Sequence, residues 1–362
     1  MIKVVTVVGA RPQFIKAAAV SRVIRDTYAD QVQEILVHTG QHFDENMSKV
    51  FFDELDIPKP NYNLEISGGS HGLMTGRMLE AIEQVLLKEK PDWVLVYGDT
   101  NSTLAGALAA VKLHIRVAHV EAGLRSFNMR MPEEVNRVMA DRISTLLFCP
   151  TEAAVKNLQL EGVKSGVINS GDVMYDVALT FRDQARQRST VLQRLGLTEK
   201  AFTLATCHRA ENTDDPTRLK QIMSALGSIA NDLPVVLPLH PRTRKLIYEQ
   251  DLQPLLDRVT VLEPVAFLDM VALEQAAKLI LTDSGGVQKE AFFYRVPCVT
   301  MREETEWVET VHAGMNMLVG ADTDKIIQAT IDMQSKEPAN NDAQPYGNGR
   351  SAFGIVDALV KH

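Results

Sequence analysis

Short, predominantly apolar runs alternate along the whole chain with longer segments whose apolar positions recur at helical spacing. Such runs are typical of strands that are buried on both faces of a parallel sheet. The runs occupy residues 3–8, 34–37, 93–97, 117–120, 146–149 and 167–169, and then residues 202–206, 235–238, 259–262, 279–281, 298–300 and 317–319. The pattern predicts an α/β protein with Rossmann-type, doubly wound parallel sheets.

One polar helical region, residues 181–200, interrupts this alternation and contains no strand signal. The chain has 362 residues, and single hydrophobic cores stop growing at roughly 250–300 residues. We therefore expect two domains, residues 1–175 and 176–349. The segment 335–350 is rich in polar residues, Pro and Gly, which predicts a loop before a last helix at residues 352–360.

Composition narrows the class of protein. Hydrophobic residues make up 45% and charged residues 23%, and every apolar run is well short of the ~20 residues that a membrane span needs. The first strand begins at once, without the basic and apolar segments of a secretory signal. The three cysteines lack CxxC spacing, which argues against a disulfide framework or a zinc site. We expect a cytoplasmic protein without a membrane partner, and the net charge of −8 argues against a nucleic-acid surface.

The stretch LILTDSGGVQKEAFFYRVP, residues 279–297, predicts a strand, a tight turn and a helix start. Ser284 is placed to cap the helix, and Gly285 and Gly286 have no Cβ to block a close approach. Backbone N–H groups at a helix N-terminus bind phosphate well. Glu290, about one turn further on, could accept hydrogen bonds from ribose hydroxyls. The alternative is a capped turn in an ordinary parallel sheet.

Polar residues also follow other strands, where ligands bind in open α/β sheets. After the first strand, Arg11 and Lys16 are candidate anion ligands, although they could be surface charges. The segment lacks the GxGxxG glycines, so we do not infer NAD. In the second half, His208 and Arg209 form a credible acid/base and phosphate-binding pair. Cys207 could be a nucleophile, but no further motif supports that role.

Carboxylates stand at two neighbouring strand ends. Asp99 and Glu121 would be costly to place near each other unless a site uses them. Asp99 could instead cap the next helix, and His119 is expected to be a buried core residue. Glu133 and Glu134 open a helix after a proline, where acidic residues also have a purely structural explanation.

Seven ordered segments resemble the non-hydrolysing UDP-N-acetylglucosamine 2-epimerases: GARPQFIKAA, HTGQHFDENMS, GDTNSTLAGALAA, HVEAGLRS, MPEEVNR, CHRAEN and LTDSGGVQKEA. The resemblance extends from residue 3 to about residue 320. It implies the two-domain GT-B architecture with the ligand in the cleft, a C-terminal helix (residues 350–362) that returns to the first domain, and a homodimer. It implies no cofactor and no metal.

The resemblance also assigns residues. Arg11, Lys16, Asp99, Glu121, Glu133 and His208 fall on active-site positions of the family, whereas Ser284, Gly285, Gly286 and Glu290 match its UDP-binding turn and ribose contact. Three features depart from the typical pattern. Ala210 replaces an arginine, Trp307 replaces a substrate-contacting arginine, and Ser70-His71 lies where allosterically activated members carry Arg-Gln.

The resemblance implies interconversion of UDP-GlcNAc and UDP-ManNAc by elimination and re-addition of UDP, for synthesis of cell-surface polysaccharide precursors. The GARPQF, SFNMRMPEE and TEWVE segments resemble more closely the branch that acts on UDP-2,3-diacetamido-2,3-dideoxyglucuronate. A GT-B glycosyltransferase, a hydrolysing epimerase and a nucleotide-sugar-binding regulator are rival hypotheses. Three carboxylates would repel an anionic ligand, which argues against pure binding.

Overall fold

The computed structural model describes residues 1–41, 59–335 and 344–362. These residues pack into two compact units, Met1–Val177 with Gln344–His362, and Ala178–Ala343. That each unit is an independent domain with the limits given above stays a prediction. Residues 42–48 of the HTGQHFDENMS segment, and residues 336–343 of the predicted loop, lie outside the described part. Within that part, no helix is both long enough and apolar enough to cross a membrane.

The first unit is built on a seven-stranded parallel sheet with the order β3-β2-β1-β4-β5-β6-β7. Its strands are β1 (Ile2–Val8), β2 (Val32–His38), β3 (Tyr62–Asn63), β4 (Trp93–Tyr97), β5 (Arg116–Val120), β6 (Leu146–Cys149) and β7 (Val167–Asn169). The central strands are apolar at nearly every position and are buried on both faces, as the continuous apolar runs predicted. Between β1 and β4 the strand order reverses direction, which creates a crevice at their carboxyl ends.

Helices cover both faces of this sheet. They are α1 (Arg11–Thr27), α2 (His71–Glu89), α3 (Asn101–Lys112), α4 (Pro132–Ile143), α5 (Glu152–Leu160), the start of α6 (Val173–Arg188) and, after the second unit, α15 (Ser351–Lys361). The last helix buries Ile355, Val356 and Leu359 and packs on α1, where the rings of Tyr28 and Phe353 lie 5.5 Å apart.

The second unit contains a six-stranded parallel sheet with the order β10-β9-β8-β11-β12-β13. Its strands are β8 (Thr203–Thr206), β9 (Val235–Pro238), β10 (Thr260–Leu262), β11 (Leu279–Thr282), β12 (Cys298–Thr300) and β13 (Asn316–Leu318). Besides the end of α6, its helices are α7 (Val191–Leu195), α8 (Ala210–Thr213), α9 (Pro216–Ile229), α10 (Pro241–Glu249), α11 (Phe267–Ala276), α12 (Gly285–Phe293), α13 (Val308–His312) and α14 (Thr323–Gln334), with a 3-10 turn at Gln253–Leu256. Here the strand order reverses between β8 and β11.

All twelve predicted strands are present, with ends within two residues of the prediction. The sequence pattern missed β3, because a two-residue strand at a sheet edge has no detectable periodicity. The last helix is one residue longer at each end than predicted, Ser351–Lys361.

Candidate functional site

The carboxyl ends of β1 and β4 are joined by a buried glutamine that the sequence analysis did not single out. Gln13 accepts hydrogen bonds from the backbone N–H groups of Gly9 and Ala10 at 2.8 and 3.0 Å. Its amide nitrogen donates to the carbonyl of Tyr97 at 2.7 Å. Gln13 therefore ties the start of α1 to the end of β4. Arg11, the first residue of α1, lies half-buried at this crevice.

Three of the elements at this crevice bring a lysine, a glutamate and a glycine together. Lys16, on α1, is only 7% exposed, and its ammonium group pairs with the carboxylate of Glu121 directly after β5. A Cβ placed on Gly98, after β4, would lie 3.2 Å from Glu121 Oε2 and 3.6 Å from Lys16 Nζ. Gly98 thus leaves room for this ion pair.

Glu121 has a backbone conformation that residues with a side chain rarely adopt, with φ of +74°. Such a conformation costs of order 1–3 kcal/mol and tends to occur at functional sites. The Glu121 N–H donates to the carbonyl of Phe148 at 3.0 Å, which holds the residue in place. In this conformation, the Glu121 carboxylate reaches the ammonium group of Lys16.

Asp99 follows Gly98 in the turn between β4 and α3. The alternative that Asp99 caps α3 is wrong, because the N-cap is Thr100, whose hydroxyl accepts from the Thr103 N–H. The Asp99 carboxylate instead pairs with the guanidinium of Arg137 on α4. Asn136 on the same helix donates to the Asp99 carbonyl at 2.9 Å. Both the side chain and the backbone of Asp99 are therefore positioned by α4.

Glu133 and Glu134 lie in the first turn of α4, as predicted, but in different environments. Glu133 is half-buried. Glu134 is 1% exposed and accepts from the Ser126 and Phe127 N–H groups, each at 2.9 Å, and from Arg137 at 2.8 Å. Glu134 therefore anchors the segment that leads into α4.

The sequence analysis named Glu134 but did not predict that it is buried, and it did not single out Arg137 and Asp141 on the same helix. Glu134, Arg137 and Asp141 all lie below 10% exposure, although charged residues on a helix are usually solvated. Their spacing of three and four residues puts them on one helix face. A solvated helix face shows the same spacing, so the sequence pattern alone could not distinguish them.

In the second unit, Asp283 occupies the equivalent place at the strand-order reversal between β8 and β11. It is completely buried and accepts from the backbone N–H groups of His208, at 3.1 and 3.0 Å, and Arg209, at 2.9 Å. The Asn212 amide adds a longer hydrogen bond of 3.3 Å. One carboxylate thus fixes the loop that carries both candidate residues.

The His208 side chain is 45% exposed, and its Nδ1 lies 3.4 Å from Asp283. Partial burial lowers the pKa of His208. Asp283 opposes this shift, and Arg209 and His240 act in the same direction as burial. A neutral imidazole at neutral pH can exchange a proton with a ligand.

The predicted phosphate turn forms the N-terminus of α12. Ser284 occupies the N-cap position, but the prediction that its side chain caps the helix is wrong. Instead, its backbone N–H donates to Thr282 Oγ1 at 2.9 Å. Gly286 is exposed, and a Cβ there would meet only Ser284 Oγ, at 3.8 Å. Glu290 lies half-buried further along α12.

Trp307 borders this turn. A Cβ on Gly285 would lie 3.2 Å from Trp307 Nε1, and the ammonium group of Lys289 lies 3.8 Å from the centre of the Trp307 ring. Thr305 donates to the side chain of Gln288 at 2.6 Å, which fastens the segment to α12. Trp307 is therefore buried, with 6% exposure, and packs against the turn.

The cysteines are the last candidate residues, and their burial argues against a catalytic role. Cys207 is 2% exposed, and burial, together with Asp283, raises the pKa of its thiol well above the usual range. The thiolate that a nucleophile requires is therefore disfavoured. All three cysteines are free and buried. In the described ranges, no group of three or more His, Cys, Asp or Glu residues could hold a metal ion.

Comparison with known proteins identifies the family. Residues 26–360 match the family model described as UDP-N-acetylglucosamine 2-epimerase. The Pseudomonas aeruginosa UDP-2,3-diacetamido-2,3-dideoxy-D-glucuronate 2-epimerase is 56% identical over 99% of both chains.

Two solved structures are also similar. The Methanocaldococcus jannaschii UDP-GlcNAc 2-epimerase in complex with UDP-GlcNAc and UDP superposes with a TM-score of 0.91 at 45% identity, over 99% of this chain and 100% of the other. The Neisseria meningitidis UDP-GlcNAc 2-epimerase bound to UDP-GlcNAc gives a TM-score of 0.90 at 33% identity, with the same coverage. The predicted fold class, two Rossmann-type units of the GT-B kind, is confirmed. The chain therefore belongs to the UDP-N-acetylglucosamine 2-epimerase family, whose named relatives are isomerases that act on UDP-sugars.

Proposed function

We propose that this protein inverts C2 of a UDP-linked 2-acetamido sugar by eliminating UDP and adding it back. The observation that carries the proposal is the Lys16–Glu121 ion pair beside Gly98, with Asp99 next to it in the chain, at the carboxyl ends of β4 and β5. Family membership supplies the substrate class.

The C2–H bond of such a sugar is not acidic, so its removal must be coupled to departure of the leaving group. In the proposed reaction, a base takes the C2 proton while the C1–O bond breaks, and the electron pair forms the C1–C2 double bond of a glycal. UDP leaves with the bonding electrons. Re-addition of UDP at C1, with a proton delivered to the opposite face of C2, gives the epimer. Atoms and charge balance without an oxidant.

We assign the developing negative charge of UDP to the α12 N-terminus at Ser284, Gly285 and Gly286, and to Arg11 and Arg209. Backbone N–H groups and cations stabilise such charge without reorganisation. Glu290 is assigned to the ribose hydroxyls.

The candidates for proton transfer are Asp99, Glu121, Glu133 and His208, and each such role typically contributes about 10²- to 10⁴-fold. Among these candidates, Glu121 forms an ion pair with Lys16.

Two substrates are proposed for comparison, UDP-GlcNAc and UDP-2,3-diacetamido-2,3-dideoxyglucuronate. The Pseudomonas relative at 56% identity is named for the second, and Trp307 distinguishes the turn from that of typical UDP-GlcNAc enzymes. We therefore favour the uronate.

We also propose that the enzyme is a cytoplasmic homodimer that needs no activation by a second UDP-sugar. Ser70 caps α2 here, and His71 lies 3.2 Å from the Asn101 amide.

The test follows the C2 hydrogen. With either UDP-sugar in deuterated water, and with no acceptor or nicotinamide, we expect a UDP-linked epimer that carries deuterium at C2. Oxygen label in the UDP bridge should scramble between bridging and non-bridging positions. Free sugar plus UDP would indicate a hydrolase, and no turnover without an acceptor would indicate a transferase. Retention of the original C2 hydrogen in the epimer would refute the elimination route.

A further inference from the structure

A fully buried histidine lies behind the carboxylate cluster. His119, on β5, has 0% exposure. Its Nδ1 lies 2.7 Å from Asp141 Oδ1 on α4, and its Nε2 lies 2.7 Å from the Gly98 carbonyl oxygen at the end of β4. Both distances are those of well-formed hydrogen bonds. The ring therefore connects α4 to the turn that carries Asp99.

The two partners fix the number of protons on the ring. A carbonyl oxygen only accepts, so Nε2 carries a hydrogen. Burial alone would raise the pKa of Asp141, but the hydrogen bonds and charges of His119 and Arg125 hold it below its usual range. An ionised carboxylate also only accepts, so Nδ1 carries a hydrogen as well. A neutral ring would turn one bare lone pair toward an acceptor at 2.7 Å.

The surrounding charges balance a protonated ring. Asp141 Oδ2 accepts from Arg125 Nη1 at 2.7 Å and from the Gly123 N–H at 3.1 Å. Arg125 also forms two hydrogen bonds with the Glu161 carboxylate, at 2.6 and 2.7 Å. His119 and Arg125 supply two positive charges, and Asp141 and Glu161 supply two negative charges. Burial raises the pKa of the nearby Cys149 thiol to about 12, so that thiol is neutral. Buried charges persist when they are paired and hydrogen-bonded in this way.

The position of the ring suggests its role. Gly98 has a φ of +60°, its N–H donates to the Val120 carbonyl at 2.9 Å, and its own carbonyl is held by His119. The next carbonyl, that of Asp99, is held by Asn136. The turn is thereby fixed on both sides of Asp99, and Gly98 borders the pair of Lys16 and Glu121.

We propose that His119 is a positioning residue for the epimerase reaction. Its ring donates from both nitrogens, and through the Gly98 carbonyl it sets the geometry of Asp99 and Glu121. This inference rests on the proposed function for its kinetic consequence. Its structural part, the doubly protonated ring, does not.

The first experiment needs no turnover. In the full-length protein labelled with 15N-histidine, we expect one ring whose two nitrogens both show the signature of a protonated imidazolium. The signal should disappear in His119→Gln, which assigns it. A single protonated nitrogen on His119 would overturn the proton count, whatever the enzyme catalyses.

The second experiment compares two amides that each retain one donor. The amide nitrogen of glutamine reaches about as far as histidine Nε2, so His119→Gln can keep the hydrogen bond to Gly98. The nitrogen of asparagine corresponds to Nδ1, so His119→Asn can keep only the one to Asp141. We expect kcat to fall about 10-fold in the glutamine variant and about 100-fold or more in the asparagine variant. UDP affinity, which we assign to the α12 turn, should change less than about threefold in both.

The outcomes separate this inference from the proposed function. If the wild-type protein epimerises its substrate and the asparagine variant retains as much kcat as the glutamine variant, the positioning role is wrong and the proposed function stands. If the wild type shows the doubly protonated ring but no epimerisation, the proposed function fails, and with it the kinetic role.

Discussion

A negative charge at Gly286 tests the phosphate turn most directly. In Gly286→Asp the new Cβ has room, because its nearest neighbour would be Ser284 Oγ at 3.8 Å. A carboxylate in the first turn of a helix also interacts favourably with the helix dipole. The variant should therefore fold normally. Gly285 is less suitable for this substitution, because a Cβ there would lie 3.2 Å from Trp307 Nε1. A loss of affinity could then result from a steric clash as well as from the added charge.

The size of the effect follows from Coulomb's law. At roughly 6 Å and an effective dielectric constant of about 40, two like unit charges repel by about 1.4 kcal/mol. A diphosphate with about two negative charges near the carboxylate loses about 3 kcal/mol of binding free energy, or roughly 100-fold in affinity. Because salt screens an exposed charge, the loss should shrink as ionic strength rises.

The matched control is Gly286→Asn, which has nearly the same shape without the charge. UDP affinity is measured by calorimetry for wild type and both variants, with thermal unfolding as a check on the fold. We expect asparagine to cost less than about tenfold and aspartate roughly 100-fold. If wild type binds UDP and the two variants bind it equally well, the diphosphate does not lie at this turn.

Three further outcomes are expected. Glu121→Gln keeps the shape of the side chain but removes its basicity, so kcat should fall about 100-fold or more with UDP affinity nearly intact; lost UDP binding with an unchanged rate per complex would make Glu121 structural. Trp307→Arg should raise the ratio of kcat/KM for UDP-GlcNAc to kcat/KM for the uronate about 10-fold. Trp307→Phe, which keeps an aromatic ring beside Lys289, should leave this ratio unchanged. Equal ratios in wild type and both variants would show that Trp307 does not determine the substrate. Burial lowers the pKa of His38 to about 4, so between about pH 6.5 and pH 4 the imidazole is protonated in the unfolded state and neutral in the folded state. The free energy of unfolding should therefore fall over this range, by up to about 3 kcal/mol. Urea unfolding should show a smaller fall in His38→Gln, and an identical fall would contradict the assignment.

The strands and the strand-end residues could be predicted because each rests on a local signal. A buried parallel strand is continuously apolar, and polar or turn-forming residues come within two positions of its end. Asp99, Glu121 and Ser284 all follow strands in this way. Their sequence neighbours therefore indicated their place at the carboxyl edge of a sheet.

The supporting residues could not be predicted, because their partners are distant in sequence. Gln13 contacts Tyr97, 84 residues away, and Asp283 holds the His208 loop, 75 residues away. A polar residue on an amphipathic helix gives the same local pattern whether it faces water or an orphan backbone group.

The return of α15 to α1 has a consequence for biosynthesis. Tyr28, which directly follows α1, meets Phe353 on the last helix, and the whole second unit is translated between them. At about 5–20 residues per second, the ribosome needs roughly 15–65 s to cover that distance. During this interval the face of α1 that packs on α15 lacks that native contact, while the second unit, residues 178–343, is contiguous in the chain. The first unit to begin synthesis is therefore the last to be completed, and a nascent chain stalled near its end would offer that face to chaperones.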